Sequence, residues 1–145
     1  MKNDIRATVD QIIANKDMAA LIQLIPYARF IGVNAYNMGN EFIYHLPKND
    51  ENLGNPMLPA LHGGVIGGFM ETVGVLHVMM SADTLIVPKV VDFSLDYLSA
   101  GRHCDTYAKC KFVRKGRKIA NISVFAWQTQ EDAPIATARA HFLLI

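Results

Sequence analysis

The sequence predicts an α+β fold, an antiparallel sheet of about six strands wrapped around one long central helix. Three observations predict it. Residues 61–80, LHGGVIGGFMETVGVLHVMM, are apolar or glycine almost throughout. Four segments after them alternate apolar and polar residues, and two strand-like segments before them flank a turn. Alternation with one polar face marks an antiparallel sheet with one face buried. A run that is apolar on nearly all sides marks a helix covered on most sides.

Each element follows from local pattern. Residues 3–14 suit a short helix with Ile5, Val9, Ile12 and Ile13 on one face, and Met18 to Ile25 suits a second helical turn or two, stopped by Pro26. Residues 1–26 thus form an N-terminal helical segment of one domain spanning 1–145. FIGVNAYNMGNEFIYHLP reads as two strands around the turn Asn37-Met38-Gly39-Asn40. KNDENLGNPMLPA is a loop rich in Asn, Gly and Pro, of a length that is often functional.

The central helix runs from His62 to about Met80, with small residues at Gly64, Gly67, Gly68 and Gly74 that let other backbones approach. Then Phe93, Leu95 and Tyr97 alternate with Asp92, Ser94 and Asp96, and Ala108, Cys110 and Phe112 with Lys109, Lys111 and Val113. Ala120, Ile122, Val124 and Ala126 form a third set, and Ala136, Ala138, Ala140, Phe142 and Leu144 a fourth. The inward face is rich in alanine, which lets a sheet curl closely around a helix.

Composition narrows the function. The formal net charge of +1 argues against a nucleic-acid module, which carries a basic excess or stripe. Cys104 and Cys110 lie six apart in a segment that alternates like a strand. They would be ~20 Å apart, too far for a disulfide, so two free thiols in a reducing, cytoplasmic compartment are expected. No close Cys/His spacing supports a metal site. The N-terminal stretch lacks the apolar core of a secretory signal. Residues 61–80 carry Glu71 near mid-span, which costs about 2.5–3.5 kcal/mol at a bilayer centre, so a buried helix is expected rather than a membrane span.

The chemistry concentrates at residues 62–71. A loop delivers His62-Gly63-Gly64 to the start of the helix, where the first N–H groups have no internal partner and carry the positive end of the dipole. Such a place suits polarisation of a carbonyl oxygen. Glu71 lies eight residues past Gly63, ~12 Å along the axis. It cannot reach a carbonyl held at its own helix start. A second copy of the helix, antiparallel beside the first, brings it there, so the arithmetic predicts a homodimer with two shared sites. No GxGxxG or GxxxxGK pattern supports a nucleotide reading of the glycines.

The segment NPMLPALHGGVIGGFMETVG resembles the signature of hotdog-fold acyl-CoA thioesterases, in the phenylacetate-pathway (PaaI-type) branch. VVDFSLDYLSAG, YAKCKFVRKGRKIANISVFAW and PIATARAHFLL are similar to that family in order and spacing. The resemblance covers residues 30 to 145. It implies a dimer, often a dimer of dimers, in which the Gly63 N–H polarises the thioester carbonyl. Glu71 of the facing subunit is then nucleophile or general base, and His62 and Gly64 help set the loop.

Family members often carry an Asn six positions before the His; Pro56 stands there, with Asn55 one residue out of register. Val90 occupies the position where many members have Ser or Thr. The resemblance implies an acyl-CoA substrate and no further cofactor. Phe69, Thr72 and Val90 are candidate lining for its acyl group, and Arg114, Lys115, Arg117 and Lys118 form a basic hairpin suited to the coenzyme A phosphates. A hotdog hydratase or dehydratase and a non-catalytic acyl-CoA binder are the alternatives.

Overall fold

A computed structural model describes residues 1–145. The chain opens with α1 (Lys2–Ala14) and α2 (Met18–Leu24). Asp17 caps α2 by accepting the Ala20 N–H. Val9 and Ile13 of α1 enter the core, while Ile5 is exposed, so the apolar face is narrower than its spacing suggested.

Pro26 does not end the helical region. It opens a third helix, α3 (Pro26–Ile31), from the first-turn position where proline's fixed φ fits and its missing N–H costs nothing. Gly32 ends α3 in the left-handed region at φ 77°, a conformation that suits glycine. Phe30 and Ile31, expected to begin a strand, are therefore helical.

The first hairpin is β1 (Asn34–Met38) and β2 (Glu41–Leu46), turning at Gly39-Asn40. The expected loop at 48–60 contains a 3-10 turn over Asp50–Asn52 and a small hairpin, β3 (Leu53–Asn55) with β4 (Ala60–Leu61). The central helix follows as α4 (Gly63–Met80), and then β5 (Pro88–Tyr97), β6 (Thr106–Lys115), β7 (Ile119–Trp127) and β8 (Ala136–Leu144). Cys104 lies in the loop before β6, not in a strand, so it shares no face with Cys110; both thiols are free.

The main sheet has six antiparallel strands in the order β1-β2-β6-β7-β8-β5. Its concave face is alanine-rich as expected: Ala108, Ala120, Ala126, Ala136, Ala138 and Ala140 are buried against the interior. Small side chains there let α4 sit close. At Gly74 a Cβ would stand 2.7 Å from Ile122 Cδ1 and 3.2 Å from Phe142 Cζ, so the helix and the sheet meet with no room between them. Phe69, Met70, Val73 and Leu76 of α4 are fully buried. Each contributes roughly 1.5–3 kcal/mol by leaving water. α4 is long and apolar enough to cross a membrane by length and hydropathy, but more than half of it is buried inside the protein.

The C-terminal end of α4 is tied down by two cations. Lys16 donates to the Met80 carbonyl at 2.9 Å and Lys115 to the Ser81 carbonyl at 2.7 Å. Nearby, His77 Nδ1 lies 3.4 Å from the buried Tyr44 hydroxyl. Burial, then the charge of Lys115, lowers the His77 pKa to about 4. Burial also pushes the Cys110 thiol well above its usual range, and Tyr44 likewise.

Candidate functional site

The loop carrying His62 is clamped on both sides. The Leu61 N–H donates to the Gly101 carbonyl at 2.9 Å, and the His62 N–H to the Asn52 carbonyl at 2.9 Å. Gly54 packs so tightly on this turn that a Cβ there would stand 2.8 Å from the His62 Cα. His62 is the N-cap of α4, and its Nδ1 accepts the Gly64 N–H at 2.9 Å. An accepting Nδ1 fixes the neutral ring with its proton on Nε2. Gly64 is thereby satisfied. Gly63, the first residue of the helix, keeps an N–H with no helical partner, pointing from the positive end of the dipole.

One contact at this spot was not read from the sequence. The Tyr97 hydroxyl, at the end of β5, donates to the Gly63 carbonyl at 2.7 Å. A Cβ at Gly63 would stand 3.0 Å from that oxygen, so glycine is what lets the tyrosine approach. Around them lies an open cleft of about 400 Å³, bordered by Ala60, Ile66, Leu98 and Gly101. Tyr97 entered the sequence reading only as one apolar position of an alternating strand. Nothing in that pattern marks which strand end meets the helix start.

Glu71 lies two turns further along α4 on the same open face as Gly64, Gly67 and Gly68, and is solvent-exposed. None of the chain's ion pairs uses it. Within one chain the ~12 Å of helix between Gly63 and Glu71 stands.

The remaining expected residues divide. Asn55 Oδ1 accepts the Met57 and Leu58 N–H groups at 2.9 and 3.3 Å, so its side chain shapes its own turn. Phe69 is fully buried. Thr72 is buried and donates to the Gly68 carbonyl at 2.7 Å. Val90 pairs with Phe142 across β5–β8, ~23 Å along the strand from Tyr97. Arg114, Lys115, Arg117 and Lys118 sit at the β6–β7 hairpin, beside the far end of α4, ~27 Å from its start. Lys115 is partly committed, to Ser81 and over the Phe112 ring. No group of three or more His, Cys, Asp or Glu side chains converges on a common point.

Residues 58–135 match the family model of the thioesterase superfamily. Among solved structures, a Chromobacterium violaceum protein is similar at 36% identity over 96% of this chain and 97% of its own, with a TM-score of 0.78. A thioesterase of Haemophilus influenzae shares the fold at 21% identity, over 88% of this chain and 90% of that one, TM-score 0.77. So does the E. coli PaaI protein of the phenylacetic acid degradation operon, at 15% identity over 92% and 94%, TM-score 0.78. No curated protein matches the sequence. The wrapped helix is the hotdog fold.

Proposed function

The chain belongs to the thioesterase superfamily, and on that premise we propose that it hydrolyses an acyl-CoA thioester to the free acid and coenzyme A. One observation carries the reading: an open backbone donor at Gly63 and an uncommitted carboxylate at Glu71 occur on the same helix, on its glycine-lined exposed face.

The working unit is a homodimer, itself able to pair further. Two features support it. The exposed strip of α4 carries Gly64, where an added Cβ would meet only the ring of the neighbouring His62, and Glu71, so a second α4 can approach there. β5 ends the sheet with an unpaired edge and exposed Val91 and Tyr97, a ready template for another copy. With the two helices antiparallel, Glu71 of each copy reaches the Gly63 of the other. The carbonyl oxygen accepts from the Gly63 N–H as charge develops on it. As a base, Glu71 takes a proton from the water that attacks the carbonyl carbon, and returns it to the sulfur as the C–S bond breaks. As a nucleophile, it bonds to the carbonyl carbon as the C–S bond breaks, the thiolate takes a proton from solvent, and water then hydrolyses the acyl–Glu71 anhydride to the free acid. The same pairing carries each basic hairpin ~15 Å past the partner's helix start, a span suited to the phosphates of coenzyme A. The two free thiols fit a reducing compartment, and we assign the enzyme to the cytoplasm.

The second reading, an acyl-CoA binder without turnover, draws on Asn55 being held in its own turn and on Val90 lacking a hydroxyl. Thiol release across a panel of acyl-CoAs, wild type beside Glu71→Gln and Glu71→Ala, decides between them. Loss of about 10²–10⁴-fold in kcat in both variants is expected, with an unchanged melting temperature because Glu71 is exposed. Undiminished turnover in Glu71→Ala removes Glu71 from the mechanism.

A further inference from the structure

The open face of α4 is walled on one side, one turn before Glu71. A Cβ built on Gly68 would stand 2.5 Å from the Tyr27 hydroxyl oxygen and 3.3 Å from the Tyr27 ring carbons Cε1 and Cζ. Gly68 and Glu71 are three residues apart on neighbouring turns of α4, so they share a face, ~4.5 Å apart along the axis. The phenol of Tyr27 therefore rests on the helix backbone one turn from the residue that carries the carboxylate.

The wall is an ordered one. Tyr27 lies on α3, held at its ends by Pro26 and the left-handed Gly32. Its ring stacks on Phe30, with centroids 6.3 Å apart at 30°. The rest of the helix is anchored by Ala28 and Ile31, which are buried. Yet Phe30 is 82% exposed and Tyr27 45%. Tyr27 thus packs its phenol on α4 and keeps the rest of its ring, with Phe30, at the surface. On the other side of the same face, Leu95 Cδ2 comes to 3.4 Å of a Cβ built on Gly67. Tyr27 of α3 and Leu95 of β5 thus come down on neighbouring positions of α4, within one turn of Glu71.

We propose that Tyr27, backed by Phe30, is a specificity-determining residue that sets the length limit of the acyl group beside Glu71. The inference rests on the thioesterase reading and adds to it the dimension of the substrate. An acyl chain whose carbonyl carbon lies at the Glu71 carboxylate, and which runs back along α4 toward its start, meets the phenol within about one helical turn. Short acyl groups end before it. Longer ones must displace a ring that the Phe30 stack and the α3 caps hold in place.

The test is a series of straight-chain acyl-CoAs of increasing length, measured by thiol release and, in parallel, by calorimetric binding. Wild type, Tyr27→Ala, Tyr27→Phe and Phe30→Ala are compared, with circular dichroism to verify the fold. The expected result is a length cut-off in the wild type that Tyr27→Ala moves to longer chains. The gain in kcat/KM is about fourfold per additional methylene accommodated and appears in KM rather than kcat. Tyr27→Phe keeps the ring and keeps the cut-off, and Phe30→Ala loosens it. A Tyr27→Ala profile that parallels the wild type at every length overturns the proposal while leaving the thioesterase reading intact. If the wild type turns over no acyl-CoA, the thioesterase reading fails on its own. The calorimetric series then still decides the length limit, since a binding cut-off moved by Tyr27→Ala supports it and an unmoved or absent one overturns it.

Discussion

Tyr97→Phe is the substitution that asks most directly whether the helix start is a tuned site. It removes one oxygen and keeps the ring, so the cleft beside Gly63 retains its wall. The bond lost is a single neutral hydrogen bond of 2.7 Å to the Gly63 carbonyl, made by a residue 55% exposed. Water replaces part of it, so the stability cost is at the low end of the usual range, about 0.5–1 kcal/mol. For a chain of this size that lowers the melting temperature by about 1–4 °C. The catalytic effect is larger than the stability effect if the tyrosine holds the Gly63 peptides in register. Deleting an oxyanion donor outright costs about 10²–10³ in kcat; letting one drift costs less, about tenfold.

The expected signature is therefore a tenfold fall in kcat with KM within about twofold. The assay is thiol release on whichever acyl-CoA the wild type prefers, with thermal unfolding on the same preparations. A lowered melting temperature with kcat unchanged would show that Tyr97 only braces the fold, and the reasoning about Gly63 would be wrong. Gly63→Ala provides a companion. Its Cβ would sit 3.0 Å from the Tyr97 oxygen and must push it away, so it should reproduce the kcat loss without touching the hydroxyl itself.

The other predictions concern stability. In Gly74→Ala the new Cβ meets Ile122 Cδ1 at 2.7 Å, and both Ile122 and Phe142 are fully buried with nowhere to retreat. Overpacking of 1–3 kcal/mol outweighs the ~1 kcal/mol gained in helix propensity, for a net loss of about 1 kcal/mol by denaturant titration; a more stable variant contradicts the close contact. His77 is held neutral in the fold by burial, with its pKa lowered to about 4, whereas the unfolded chain takes up the proton near 6.5. Its contribution is complete above pH 6.5 and is lost as pH falls toward 4, at most about 3 kcal/mol. His77→Gln should flatten the stability–pH curve in that window, and an unaltered slope would show that other groups set it.

Much of this architecture was legible in the residue pattern because period-two alternation and a run apolar on all sides are strong, local signals. The four strands after α4 came from alternation, the hairpin before it from its turn at Asn37-Met38-Gly39-Asn40, and the alanine lining from the alternation. Two features were not legible. Pro26 fits both the end of one helix and the first turn of the next, and only packing of Ala28 and Ile31 decides for α3. The depth at which Phe69 sits was not legible either, because a helix apolar on all sides does not disclose which face is covered. Gly63 and Glu71 were singled out because glycine at a helix start and an acid in an apolar run are each unusual. Tyr97 and Tyr27 were not, since their roles depend on which strand end and which short helix come to rest on α4. Those are tertiary facts with no local spelling.

The lysine clamp at the end of α4 has an electrical consequence. A helix left to itself presents opposite partial charges at its two ends, and a distant point feels them cancel. Here Lys16 and Lys115 cover the last carbonyls at Met80 and Ser81, so the negative pole is quenched. The positive pole at Gly63 faces an open cleft with no anionic side chain of its own loop against it. α4 therefore behaves less like a dipole than like a single positive terminal aimed at one cleft. An incoming anion thus meets positive charge at both ends of α4, the backbone at Gly63 and the full charges of the basic hairpin at the other.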